Sequence, residues 1–201
     1  MFRQLFSAAA TAIALAVAAQ GAPAAKPPAS HAANPRVSMV IEKRGTVVLE
    51  LFPKDAPKTV AHFLDLVNKK FYDRVLFHRV VSKFVVQAGD PKSKSVNGAL
   101  LADIPDTEVG PRFGLGAGGS GKTVPLEANR PHLHGTLGLA RSMDPNSGDS
   151  QFFINLNDNH PLDYKYCVFG RVVKGMDVVD KIRQGDRIQS IRVLTGSKAR
   201  K

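Results

Sequence analysis

The sequence predicts a mainly β domain, a closed eight-stranded antiparallel barrel capped by two α-helices. Three observations lead there. Short apolar runs of strand length recur from Val37 to Leu194, only two stretches carry helical periodicity, and the two kinds of segment do not alternate as a parallel βαβ chain would. Closing the sheet on itself is the expected answer to so many short strands, because closure removes exposed edges.

Taken in order, Val37, Met39 and Ile41 alternate with more polar neighbours, and the alternation resumes after Lys43-Arg44-Gly45 at Val47, Leu49 and Leu51, which reads as a β-hairpin. Pro57 then opens a helix. Asp55 lies near its N-terminus, where negative charge is favourable, and Val60, Phe63, Leu64 and Val67 make one apolar stripe. Further strand-like runs fall at 75–81, 84–87, 136–140, 152–155 and 167–172. A second helix is expected over Met176 to Arg183, with Val178, Val179 and Ile182 inward and Gly185 ending it, before a last strand from Ile188 to Leu194.

Residues 1–25 read as a secretory signal peptide: Arg3 precedes an apolar stretch from Leu5 to Ala19, and small residues follow at Ala19, Gly21, Ala22 and Ala24. That stretch is about 15 residues, short of the roughly 20 a membrane-spanning helix needs, with an uncleaved anchor as the alternative. Residues 26–35 form an Ala/Pro-rich linker, 36–195 the folded domain and 196–201 a basic tail. The protein is therefore expected to be exported, periplasmic or extracellular, with no integral membrane span after processing. Lys and Arg total 28 against 17 acidic residues, a formal charge of +11, but they are scattered and not interleaved with aromatics, so a nucleic-acid partner is not expected. Cys167 is the one cysteine; no internal disulfide can form, and its apolar neighbours point to a buried thiol with no nucleophilic role.

One motif invites a different function. Gly116 to Thr123, GAGGSGKT, matches the phosphate-cradling signature G-x-x-x-x-G-K-[ST]. Its flanks argue against it: residues 106–114 are polar and broken by Gly110 and Pro111, which is no central strand, while Pro125 and Pro131 leave no room for the helix whose N-terminus would hold the phosphate. A glycine-rich surface loop is the better reading. His132, His134 and His160 could make a metal set only if the fold brought His160 close, so neither metal nor other cofactor is expected.

Three stretches remain: FHRVVSKFVVQAGD at 77–90, GTLGLAR at 135–141, and SQFFI at 150–154 followed by Leu162-Asp163 and Val168-Phe169-Gly170. In this order and spacing they resemble the cyclophilin family of peptidyl-prolyl cis/trans isomerases, over nearly the whole chain from Arg36 to about Leu194. The resemblance implies the eight-stranded barrel with two helices and an enzyme for proline-containing peptides and unfolded protein clients, acting as a monomer. It assigns Arg79, Phe84 and Gln87 to catalysis. Val85, Phe153 and Leu162 would form, with Phe84, an apolar pocket for the proline ring, while Gln151 and Gln87 would orient Arg79 or the peptide carbonyl. Ala140 and Arg141 would hold the substrate backbone, with Gly116 on the glycine-rich rim and Tyr166 at the pocket. His78 would point away from Arg79 as a structural histidine. Pro161 and Tyr166 stand where many eukaryotic members have tryptophan and histidine, which implies weak cyclosporin binding. Ser82-Lys83 replaces a common Pro-Gly pair, and the segment 91–113, longer than in compact members, could lean over the groove or recruit a partner. The alternative within the same fold is a proline-peptide binding module or chaperone without turnover.

Overall fold

Alternating apolar residues build one curled antiparallel sheet in the computed structural model, which describes residues 34–194. Its strands are β1 (Arg36–Ile41), β2 (Gly45–Leu51), β3 (Arg79–Val81), β4 (Val85–Ala88), β5 (Thr136–Leu139), β6 (Phe152–Asn155), β7 (Cys167–Lys174) and β8 (Ile188–Leu194), in the order β3-β4-β6-β5-β7-β2-β1-β8. The segments 1–33 and 195–201, and with them the signal peptide, most of the linker and the basic tail, lie outside the described residues. Among the described residues no helix is long and apolar enough to cross a membrane.

Full closure of the barrel is not reached. The end strands β3 and β8 share no ladder; the seam is stitched by one bridge, Leu76 to Arg187, and by backbone bonds such as Phe77 N–H to Asp186 and Ile188 N–H to Val75. The run 75–81, expected to be one strand, serves two partners in turn. Val75 to Phe77 crosses the seam, and only Arg79 to Val81 pairs with β4.

The helix α1 (Pro57–Asn68) lays Val60, Phe63, Leu66 and Val67 into the sheet, Leu66 taking the buried place expected of Leu64. Phe63 meets Tyr72, Phe152 and Phe169 with ring centroids 5.1, 5.8 and 5.2 Å apart, and fully buried side chains of this size stabilise by about 1.5–3 kcal/mol each. Asp55 does not cap α1, for it pairs with Arg130; the Glu127 carboxylate accepts from the N–H groups of Lys58 and Thr59 instead. The expected second helix is short. Its regular turn, α3, covers Met176–Val179, after which Lys181 and Ile182 bond three residues back, and Gly185 turns the chain at φ 90°.

A helix the sequence did not announce, α2 (Asp106–Phe113), forms despite Pro111 inside it. Packing explains it. Val109 enters a small second core with Leu76, Leu101 and Leu115, and Gly114 ends the helix in the left-handed region at φ 65°. Gln184 ties down the middle of the 91–115 segment by donating its amide to the carbonyls of Leu101 and Ile104, and Arg187 donates to the Val96 carbonyl nearer its start.

Cys167 is buried as expected, and burial pushes its thiol up to about 11, so no thiolate forms near neutrality. His78 and His132 are also buried, and burial holds both imidazoles below their ordinary pKa, against opposing pulls from Asp90 on the first and the Tyr166 carbonyl on the second. The unfolded chain takes up these protons near pH 6.5 whereas the folded chain resists, so this part of stability is full above pH 6.5 and is lost as pH falls through the folded values. Exposed His160, raised by Asp163, acts weakly in the opposite sense. The urea midpoint is therefore expected to drop between pH 7 and pH 5, before the carboxylates titrate; a midpoint constant over that window contradicts the account.

Candidate active site

Directly opposed residues of an antiparallel ladder share a face, and one such row runs across four neighbouring strands: Arg79 on β3, Gln87 on β4, Phe153 on β6 and Gly138 on β5. The alternate residues Val86 and Ile154 turn into the core, so the row faces outward. The distal end of the Phe153 ring reaches over Gly138, where any Cβ would collide with it. His132 stacks behind that ring at 5.7 Å and Tyr166 meets its edge at 6.1 Å. The imidazole of His132 is tied on both sides, Nδ1 to the Asn155 amide at 3.2 Å and Nε2 to the Tyr166 carbonyl at 3.3 Å, which suits a neutral ring donating from Nε2. It is a support for Phe153, and its nitrogens are taken; among the described residues no His, Cys, Asp and Glu group could hold a metal.

Above this row lies a recess of about 130 Å³. It is lined by Arg79, Phe84, Val85, Gln87, Ala140, Arg141, Phe153, Leu162 and Tyr166. It is far smaller than the roughly 300–1,000 Å³ of a drug-sized pocket and suits a single small ring. Lys83 takes φ 57° at the β3–β4 turn, the conformation glycine usually supplies, and so delivers Phe84 to the mouth. Leu162 ends the short 3₁₀ turn His160–Leu162. The Arg141 guanidinium donates to the Lys165 carbonyl at 2.9 Å and lies 4.5 Å over the Tyr166 ring, bracing that wall, while the Ala140 N–H is bonded to Gln151.

Beside the recess a wider groove of about 540 Å³ carries the two remaining residues singled out in the sequence, Gly116 and Gln151. Gln87 donates to Gln151 at 3.0 Å, and Gln151 donates to the Gly118 carbonyl at 2.8 Å, so the two amides link the row to the glycine-rich rim. Neither glutamine bonds Arg79. That role falls to Asp106, whose carboxylate lies 3.0 Å from the Arg79 Nε, with the Phe84 ring 5.8 Å from the guanidinium carbon.

The rim also answers the phosphate motif. The element just before it is the helix α2 and the next after it is the strand β5, the reverse of the strand and helix a phosphate loop joins. Asp90, fully buried, accepts from the N–H groups of Gly116 and Gly118 at 2.7 and 3.0 Å, and Asp149 accepts from Gly121 and from the Ser120 hydroxyl. Three of the loop's amides are thus already satisfied by carboxylates, which would repel a phosphate. Asp90, Asp149 and Asp106 are the residues that sequence reasoning missed, with the aspartate closing F-x-x-Q-x-G-D a visible signal for the first alone; His132, weighed in the sequence only as a metal ligand, instead supports Phe153.

The family of "Cyclophilin type peptidyl-prolyl cis-trans isomerase/CLD" matches residues 36–197. A probable peptidyl-prolyl cis-trans isomerase of Brucella suis is 40% identical over 164 residues, covering 80% of this chain and 79% of its own length. Peptidyl-prolyl cis-trans isomerase B of Escherichia coli is 36% identical over 149 residues, covering 69% and 79%. In fold, a cyclophilin-type isomerase of Cryptosporidium parvum aligns with a TM-score of 0.65 at 23% identity, over 81% of this chain and 98% of that one. The chain belongs to the cyclophilin-type peptidyl-prolyl cis-trans isomerases.

Proposed function

We propose that the recess takes the proline ring of an X-Pro segment and that Arg79 lowers the barrier to rotation about the preceding bond. The observation that carries this reading is the outward row itself, which sets a guanidinium, an amide and an aromatic floor side by side on adjacent strands. Rotation about an X-Pro bond is opposed by ~18–20 kcal/mol because the twisted state loses amide resonance. No bond breaks, so the enzyme needs only to bind the twisted amide better than the planar one. Phe153, Phe84, Val85 and Leu162 fix the ring; Arg79 donates toward the prolyl nitrogen as it becomes pyramidal, which disfavours the return of resonance. Ala140 and Arg141 flank the segment before proline, and Gln87 and Gln151 keep the rim in register with the row. A differential of about 7 kcal/mol would accelerate rotation roughly 10⁵-fold. Exchange NMR on one X-Pro tetrapeptide tests it: faster cis/trans exchange at catalytic enzyme supports the reading, and binding without faster exchange favours a peptide-binding module.

The clients are proposed to be exported proteins, on the strength of Arg3, the apolar run Leu5 to Ala19 and the small residues after it. The mature protein should lack its first 21 to 24 residues by intact mass. A species that keeps Met1 and stays with the membrane contradicts cleavage.

A further inference from the structure

We propose that Asp106 positions Arg79 for catalysis, which makes the 91–115 segment part of the isomerase's working parts. The inference rests on the reading of Arg79 as the donor to the twisted amide. An arginine reaching from an edge strand has several free torsions, and its fork must be aimed before it can stabilise a transition state without a further ordering cost. Gln87, directly across the ladder, spends its amide on Gln151. Among the described residues, Asp106 is the one side chain that accepts a hydrogen bond from Arg79.

The form of the contact matters. Asp106 grips the guanidinium at Nε, close to the stem, at 3.0 Å, so both Nη groups stay available for a peptide. The Phe84 ring stands near the guanidinium within cation–π range, leaving the fork held between a carboxylate and an aromatic face.

Asp106 is itself well placed to hold its partner. It is the first residue of α2, where a negative charge is favoured by the helix dipole, and α2 is pinned by Val109 in the second core and by Gln184 on the preceding turn. The pair contributes little to folding. With 35% of the Arg79 side chain and 28% of the Asp106 side chain exposed, an ion pair of this kind typically adds little stability, so its effect should appear in turnover and not in the unfolding curve.

The test uses the full chain in four forms beside wild type: Asp106→Ala, Asp106→Asn, Arg79→Ala and the double variant Arg79→Ala/Asp106→Ala. Asp106→Ala is expected to lower kcat about tenfold with KM within twofold, as a misaimed donor does. Asp106→Asn keeps an acceptor oxygen in place and should recover most of the loss. The double variant should match Arg79→Ala, because a positioning residue has nothing to position once the arginine is gone. The Arg79 Nε–Hε resonance, identified by its loss in Arg79→Ala, should shift and exchange faster with water in Asp106→Ala. The inference is overturned if Asp106→Ala keeps wild-type kcat, if Asp106→Asn is as impaired as Asp106→Ala, or if Asp106→Ala costs as much in the Arg79→Ala background as in wild type. Should Arg79→Ala itself turn over like wild type, the catalytic reading of Arg79 fails first, which is a different outcome from a silent Asp106.

Discussion

Arg79→Ala is expected to lower kcat/KM by about 10²- to 10³-fold, the loss typical of removing one donor that acts in the transition state, while peptide affinity changes little. The asymmetry follows from where the charge is needed. In the planar amide the prolyl nitrogen has given its lone pair to resonance and accepts poorly; only in the twisted form would it become a good acceptor for the proposed donor Arg79. The fold should not suffer. Arg79 sits on the edge strand β3 with its guanidinium partly in solvent, and its pair with Asp106 is of a kind that typically contributes about 0–1 kcal/mol. Circular dichroism and a protease-coupled assay on the same samples check both halves of the expectation.

Phe153→Ala should damage binding and turnover together. Its ring is the floor of the recess, only 5% exposed, wedged between His132 and Tyr166 and lying over Gly138. Truncation would remove the surface on which the proposed reading packs the proline ring, and would leave His132 facing a void. A fully buried phenylalanine cut to alanine costs about 3–5 kcal/mol; with one face toward the recess, the loss here should be at or below the bottom of that range. In a domain of this size ~3 kcal/mol lowers Tm by roughly 6–12 °C. The peptide Kd should rise at least tenfold, as expected for a central aromatic anchor. A variant with normal Kd would remove Phe153 from the proline pocket.

The difference between these two variants mirrors how the site was legible in the sequence. Val37 to Leu51 and 152–155 announced themselves as strands through alternation or short apolar runs, because sheet burial imposes local patterns. FHR, F-x-x-Q-x-G-D and SQFFI gave Arg79, Gln87 and Phe153, and the ladder sets them in one row. What stayed hidden was non-local. Helix α2 contradicts its own propensities at Gly110 and Pro111 and is held by the small core that Val109 shares with Leu101 and with the distant Leu76, a partner that lies outside any local window of sequence. Asp106 meets Arg79 across 27 positions, and Glu127 reaches α1 across 68 or 69, displacing the nearer Asp55. The seam went unseen for the same reason. A run that pairs with two partners in succession has the composition of one strand, and its division at His78 depends on where Asp186 to Ile188 arrives.

GAGGSGKT shows the reverse case, a complete local match to a four-position pattern with no structural support. Its glycines keep the rim slim enough for Asp90 and Asp149 to reach the backbone amides, and a side chain at Gly118 would strike the Asp90 carboxylate. The spacing that suits a phosphate also suits two internal anions.

The proposed function requires this chain to lower the rotational barrier through Arg79 and not merely to hold proline peptides. Exchange NMR on one X-Pro tetrapeptide, with wild type and Arg79→Ala compared at equal fractional occupancy of the peptide, measures bound affinity and cis/trans exchange in the same spectra. The account predicts that wild type accelerates exchange strongly and that Arg79→Ala binds comparably while losing about 10²- to 10³-fold of that acceleration. Equal exchange rates for the two proteins, or tight binding by wild type with exchange no faster than in free peptide, would contradict it.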